Sequence, residues 1–158
     1  MPGPDRPLLA ITLGDPSGIG PEVVARALAE PAAYEMARPV VVGALGPMLR
    51  GIADTGVGLK ARAVSSIEGA GEDPAVIDVL NVDGFEDAEF PLGELSAVSG
   101  KAAHAWIERA VRLCQDGGAD AMVTAPVNKE ALSMAGSTDM GHQEVFKRMS
   151  GSDRKSVV

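Results

Sequence analysis

The sequence predicts an α/β protein built on a mainly parallel sheet. Three observations carry that reading. Short aliphatic runs alternate with turns and amphipathic stretches, in the order strand, turn, helix, strand. Aromatic residues make up only 3% of the chain, so its core must be filled by Ala, Val, Ile, Leu and Met, the mix of sheets covered on both faces. Gly 19 and Pro 11 are high counts, which suits many short connections.

The elements follow in order. LLAITL, 8–13, lies between Pro7 and Gly14 and reads as a buried strand. A glycine-rich turn, 14–20, leads to Pro21, which is favoured at the first position of a helix. Glu22 then meets the positive end of the helix dipole, and Val23, Val24, Ala27 and Leu28 are the expected buried stripe. PVVVGA, 39–44, is a second buried strand, and 46–53 a helix closed by Gly56. Strands are expected over 59–64 and 76–82, a loop over 69–74, and no regular element over the acidic segment 83–95.

The clearest helix is 96–115. Ala103, Trp106, Ile107, Ala110, Val111 and Cys114 make one continuous apolar face, Ser96 is the N-cap and Gly117-Gly118 the stop. Gly100 costs helix propensity inside it and marks close packing against a neighbour. A buried strand, 121–125, follows and breaks at Pro126 into a polar turn and a short helix. The last helix runs from Gly141 to Met149 and stops at Gly151. Ser156-Val157-Val158 then reads as the beginning of another core strand, so the sequence is expected to be the front part of a longer protein.

Composition narrows the function classes. At 158 residues with 46% apolar content, one domain with a real core is expected. A net charge of −8 repels phosphate backbones and argues against nucleic-acid binding, so an anionic small ligand needs a local cluster of donors. A single cysteine, Cys114, excludes an internal disulfide and a CxxC metal site. There is no signal-peptide core and no run of 18 apolar residues, and the expected location is cytoplasmic, with no membrane partner.

Four places could carry chemistry. GDPSGIGPE, 14–22, stands between a strand and a helix; it is either an anion cradle of backbone N–H groups or a tight turn with no ligand. It is neither a Rossmann GxGxxG nor a Walker A loop. Asn128 and Lys129 follow an apolar strand, where open sheets place ligand sites; Lys129 is either a partner for phosphate or carboxylate or a solvated helix-start lysine. His142 opens a helix after Gly141 and either presents its imidazole to a ligand or caps the helix. His104, beside an apolar face, reads as structural, and Cys114 as a small core residue.

GDPSGIGPE at 14–22, GKAAHAWIERAV at 100–111, DAMVTAPVNKEAL at 120–132, and AG followed by GHQE at 135–144 occur in an order and spacing that resemble the 4-hydroxythreonine-4-phosphate dehydrogenase family, the NAD-dependent enzymes of pyridoxal phosphate biosynthesis. The resemblance runs nearly end to end. It implies a three-layer α/β/α fold like that of isocitrate and isopropylmalate dehydrogenases, here truncated: residues 1–158 would be the N-terminal portion of a two-domain enzyme that works as a homodimer. It implies oxidation of a small phosphorylated hydroxy acid, 4-phosphooxy-threonine, by NAD with a divalent metal, giving a β-keto acid that can lose CO2.

Carried over residue by residue, His142 matches the family's substrate-binding histidine, and Gln143 stands where a substrate-contacting threonine is usual. Asp15, Asn128 and Lys129 are candidate substrate or cofactor contacts. Asn128 and Gln143 both lean toward the paralogues acting on 4-phospho-threonate or 4-phospho-erythronate. The family's metal-binding histidines fall beyond Val158, so no metal ligand and no catalytic residue is assigned within the chain. The chain alone is therefore expected to be either part of an active enzyme or an inactive piece of one. An isocitrate-type decarboxylating dehydrogenase fits less well, because Pro16 and Ser17 enlarge the first loop.

Overall fold

The structure is a computed structural model that describes residues 6–152. The strand expected to begin at Ser156 lies outside them.

Five parallel strands form one sheet in the order β3-β4-β2-β1-β5. They are β1 (Leu8–Thr12), β2 (Arg38–Gly43), β3 (Lys60–Val64), β4 (Val76–Asn81) and β5 (Ala121–Thr124). The helices are α1 (Gly20–Leu28), α2 (Pro31–Met36), α3 (Leu45–Thr55), α4 (Ala97–Gln115), α5 (Lys129–Met134) and α6 (His142–Ser150). From β1 the chain steps to β2, crosses to the edge strand β3 and returns to β4 between them, and α4 then carries it back past β1 to β5. Right-handed crossovers moving in opposite directions put α4 on the face opposite α1 and α3. The result is three layers, with α5 and α6 packed on α4.

The aliphatic core expected from composition is present. Val40, Val41, Val42, Ile77 and Val79 are fully buried in the central strands, with Leu13 and Met48 beside them. Trp106 is also fully buried on α4. The irregular segment 83–95 has no helix or strand but is not idle, because Phe85 and Phe90 pack edge-on against the Trp106 indole with ring centroids 6.3 and 6.1 Å away.

Helix ends follow local chemistry. Pro21 sits in the first turn of α1, and Gly56 ends α3 in the left-handed region. The Ser96 hydroxyl accepts from the Ser99 N–H at the start of α4. The expected close packing at Gly100 is also there: a Cβ at that position would lie 2.0 Å from the Ala131 carbonyl oxygen on α5. No side chain fits there.

Three expectations need correcting. The strand expected to be buried at 121–125 is the edge strand β5, and Val123 on it is 47% exposed. An apolar run reports hydrophobicity but not its place in the sheet, and β5 is paired only with β1 among the described residues. On α1, Ala25 is buried while Val23 and Ala27 are exposed, because the helix is rotated to face both the sheet and α3. The helix α2 was not expected from the sequence. Pro31 opens it and Tyr34 anchors it in the core, but six residues are too few for a legible periodicity.

Candidate functional site

The strand order reverses direction at β1, with β2 on one side and β5 on the other. In parallel sheets, ligands bind beyond the carboxyl ends of the strands at such a switch point. Here the turns leaving β1 and β5 touch. Gly14 has φ +74°, and a Cβ on it would lie 2.4 Å from the Pro126 carbonyl oxygen. The Asp15 N–H donates to that same carbonyl at 2.9 Å.

The first turn is closed on itself. The buried Asp15 carboxylate accepts from the Ser17 N–H at 2.8 Å, and the Gly18 N–H donates to the Asp15 carbonyl at 3.1 Å. The Ser17 and Ser99 hydroxyls share a 2.6 Å hydrogen bond in the interior, which ties the turn to α4. Arg50 of α3 donates to the Pro16 carbonyl. The backbone donors of Asp15, Ser17 and Gly18 are thus engaged within the protein, and this arrangement is that of a braced βα turn. Asp15 stands beside Pro126 but does not line the open hollow described next.

The second turn holds the hollow. Asn128 is the N-cap of α5: its Oδ1 accepts from the Glu130 N–H at 2.9 Å and the Ala131 N–H at 3.1 Å. This fixes Lys129 as the first residue of the helix. The Lys129 side chain runs past Gly141, its Cε 4.0 Å from where a Cβ would project there. A hollow of about 440 Å³ is lined by Pro126, Val127 and Lys129 from this turn and by Gly141, His142, Gln143 and Glu144 from the start of α6. The structure thus brings together Lys129, His142 and Gln143, three of the residues singled out in the sequence. Asn128 acts beside them through the backbone, and Asp15 stays in the neighbouring turn.

His142 is half-buried. Burial pushes its imidazole below the ordinary histidine range, partly offset by a hydrogen bond with the Ala125 backbone. Its Nε2 is buried without a hydrogen-bond partner. An imidazole with an unused ring nitrogen and a lysine lining the same hollow are suited to a polar, anionic ligand. Glu144, exposed on the same rim, could accept from an ammonium group of such a ligand. Among the described residues, no group of three His, Cys, Asp or Glu side chains could hold a metal ion.

Sequence reasoning missed the group that holds α6 in place. Asp139, in the loop before α6, accepts on one carboxylate oxygen from His104 Nε2 at 2.9 Å and from Arg148 at 3.0 and 2.7 Å. Arg148 also donates to Glu108 of α4 at 2.7 Å. Arg148, and secondarily His104, hold the Asp139 carboxyl below its usual range. The partners are far apart in sequence and follow no motif. His104, read as structural, is one of them.

Proteins of known family share this architecture. A crystal structure of a 4-hydroxythreonine-4-phosphate dehydrogenase from Burkholderia phymatum superposes with a TM-score of 0.87 at 38% identity, over 94% of this chain and 45% of that one. The D-threonate 4-phosphate dehydrogenase of Cupriavidus necator is 39% identical over 152 residues, 96% of this chain and 45% of the relative. The 4-hydroxythreonine-4-phosphate dehydrogenase of Geobacter metallireducens is 37% identical over 149 residues, 94% of this chain and 44% of the relative. Fold and likeness together define a parallel α/β unit similar to part of these dehydrogenases. Residues 35–158 match the family described as Pyridoxal phosphate biosynthetic protein PdxA, and the chain belongs to that family. It spans less than half the length of the curated relatives it matches.

Proposed function

We propose that this chain forms the substrate-recognition part of a dehydrogenase that oxidises the secondary alcohol of a small 4-phosphorylated hydroxy acid. The observation that carries the proposal is the convergence of Lys129, His142 and Gln143 on one hollow beyond the carboxyl ends of β1 and β5. Lys129 supplies the charge for a phosphate or carboxylate. His142 supplies a neutral ring nitrogen, and Gln143 a donor and an acceptor. Asp15 and Asn128 support the site by holding the two turns in register.

NAD is the proposed cofactor and, when bound, would supply a two-electron acceptor for the carbon-bound hydride of the alcohol. The described residues do not assemble a divalent-metal site, so no step through a metal is assigned to them. A homodimer in the cytoplasm remains the proposed setting. No helix among the described residues is long and apolar enough to cross a membrane.

The leading substrate is 4-phosphooxy-threonine. Its α-ammonium group would have a counterpart in Glu144, which lines the same hollow as Lys129. The second reading is D-threonate 4-phosphate, favoured by Asn128 and Gln143. The deciding experiment follows NADH formation by the enzyme with each compound, in the presence of a divalent metal. Turnover of 4-phosphooxy-threonine is the expected result. Turnover of D-threonate 4-phosphate alone replaces the first substrate with the second, and turnover of neither leaves this chain a non-catalytic member of its family.

A further inference from the structure

The attachment of α6 is lopsided. Among the described residues its apolar hold on the rest of the protein is one cluster, in which Val145 is fully buried against Ile107 and Val111 of α4, while Phe146 and Met149 join from α6 only partly buried. Its polar hold is the directional one. Arg148 reaches Asp139 through Nε and Nη2, and Asp139 in turn receives His104 of α4, while Glu108, one turn along α4, also accepts from Nη2 of Arg148. Asp139 is only 6% exposed. Its own backbone N–H is held at 3.1 Å by the Ser137 hydroxyl, which donates back to the Asp139 carbonyl at 3.2 Å.

This clamp has a definite geometric consequence. Asp139 lies three residues before His142, and Arg148 six after it. Both are anchored to α4, so the rotation of α6 about its axis and its slide along α4 are fixed from both sides of His142. Apolar contact is non-directional, so a cluster with one fully buried α6 side chain leaves that rotation soft, whereas a carboxylate shared by a guanidinium and an imidazole is directional. His142 depends on that rotation, because its half-buried ring lines the same hollow as Lys129 from the first turn of α6.

We infer that Asp139 is a positioning residue for His142: through Arg148, His104 and Glu108 it sets the orientation in which the imidazole meets the ligand. The inference rests on the proposed substrate site for its functional readout, but its structural readout is independent. Asp139 itself does not touch the hollow's reactive groups. Its effect passes through the loop 139–141 and the first turn of α6.

The test is nuclear magnetic resonance titration of the two histidines in the purified protein, wild type, Asp139→Ala and Asp139→Asn, with the His142 signal assigned from its loss in His142→Gln. In Asp139→Ala the His142 titration midpoint is expected to climb back toward about 6.5 as the ring becomes hydrated. Asp139→Asn keeps an acceptor and is expected to fall between. A His142 midpoint unchanged in folded Asp139→Ala overturns the inference. Should Asp139→Ala not fold, Asp139→Asn decides by the same criterion.

The kinetic arm uses whichever of the two phosphorylated acids is turned over. Asp139→Ala is expected to raise KM roughly tenfold with little change in kcat, as lost ground-state positioning does. Added to His142→Ala it should raise KM no further, since two residues acting through one contact are not additive. Additive losses would assign Asp139 a merely structural role. If neither acid is a substrate, the substrate reading fails while the titration still decides the inference.

Discussion

Gly100→Ala is the sharpest perturbation the packing offers. In an isolated helix the change would stabilise α4 by about 1 kcal/mol, because alanine loses less backbone freedom than glycine. Here the added methyl would sit 2.0 Å from the Ala131 carbonyl oxygen, 2.3 Å from its carbonyl carbon and 2.8 Å from the Leu132 nitrogen. All three are backbone atoms, so no side chain can swing away. The helices must part by about 1 Å to reach ordinary contact, and overpacking of this kind costs about 3 kcal/mol or more. The net expectation is a loss of about 2 kcal/mol, or about 4–8 °C in Tm for a protein of this size. Urea and thermal unfolding of the variant measure it, with an unchanged m-value confirming that only stability moved. Gly46→Ala is the control, since a Cβ there meets nothing within 4 Å; it should be neutral or slightly stabilising. A Gly100→Ala protein as stable as wild type, or more stable, would refute the close approach of α4 and α5. The site should also respond, because Lys129 lies two residues before Ala131 on the displaced helix.

Four other outcomes follow from the structure. Asn128→Ala removes the α5 cap and should cost about 1 kcal/mol in unfolding experiments, with Asn128→Asp retaining most of it. Lys129→Ala should weaken binding of the phosphorylated substrate by about 2 kcal/mol, roughly thirtyfold in KM, as loss of a charge-assisted contact does. Stability should rise with pH up to about 6.5, because burial depresses the His142 pKa and the unfolded chain binds more protons in the window between the folded value and that one. Urea midpoints measured across that window in wild type and His142→Gln check this, the variant showing the shallower slope. The Asp139 contribution has the usual carboxylate sign: present above about 3.9, it is lost as the pH falls through the depressed folded value.

The order of elements could be read from the sequence because most of them are locally specified. A proline at the start of α1, a serine before α4, and glycines after α3 and α6 each act within a turn of the residues they terminate. The apolar face of α4 is written in its spacing. Placement was not legible in the same way. The run 121–125 is as apolar as a central strand but lies at the edge, since the order of strands is decided by crossovers rather than by any one segment. The short α2 and the aromatic packing of 83–95 on Trp106 depended on distant partners as well.

The site divides along the same line. The sequence by itself determined that this is a parallel α/β chain with a cation and an imidazole after its last apolar run, because turn chemistry and hydrophobic period are properties of neighbouring residues. Only the tertiary structure decided that Lys129, His142 and Gln143 share one hollow, that the GDPSGIGPE turn spends its Asp15, Ser17 and Gly18 donors on internal bonds, and that α6 is clamped by Asp139. The contacts that fix them, Asp15 to Pro126, Ser17 to Ser99 and His104 to Asp139, join residues tens of positions apart. Directional hydrogen bonds between such residues exist only once the sheet and α4 have brought their elements together.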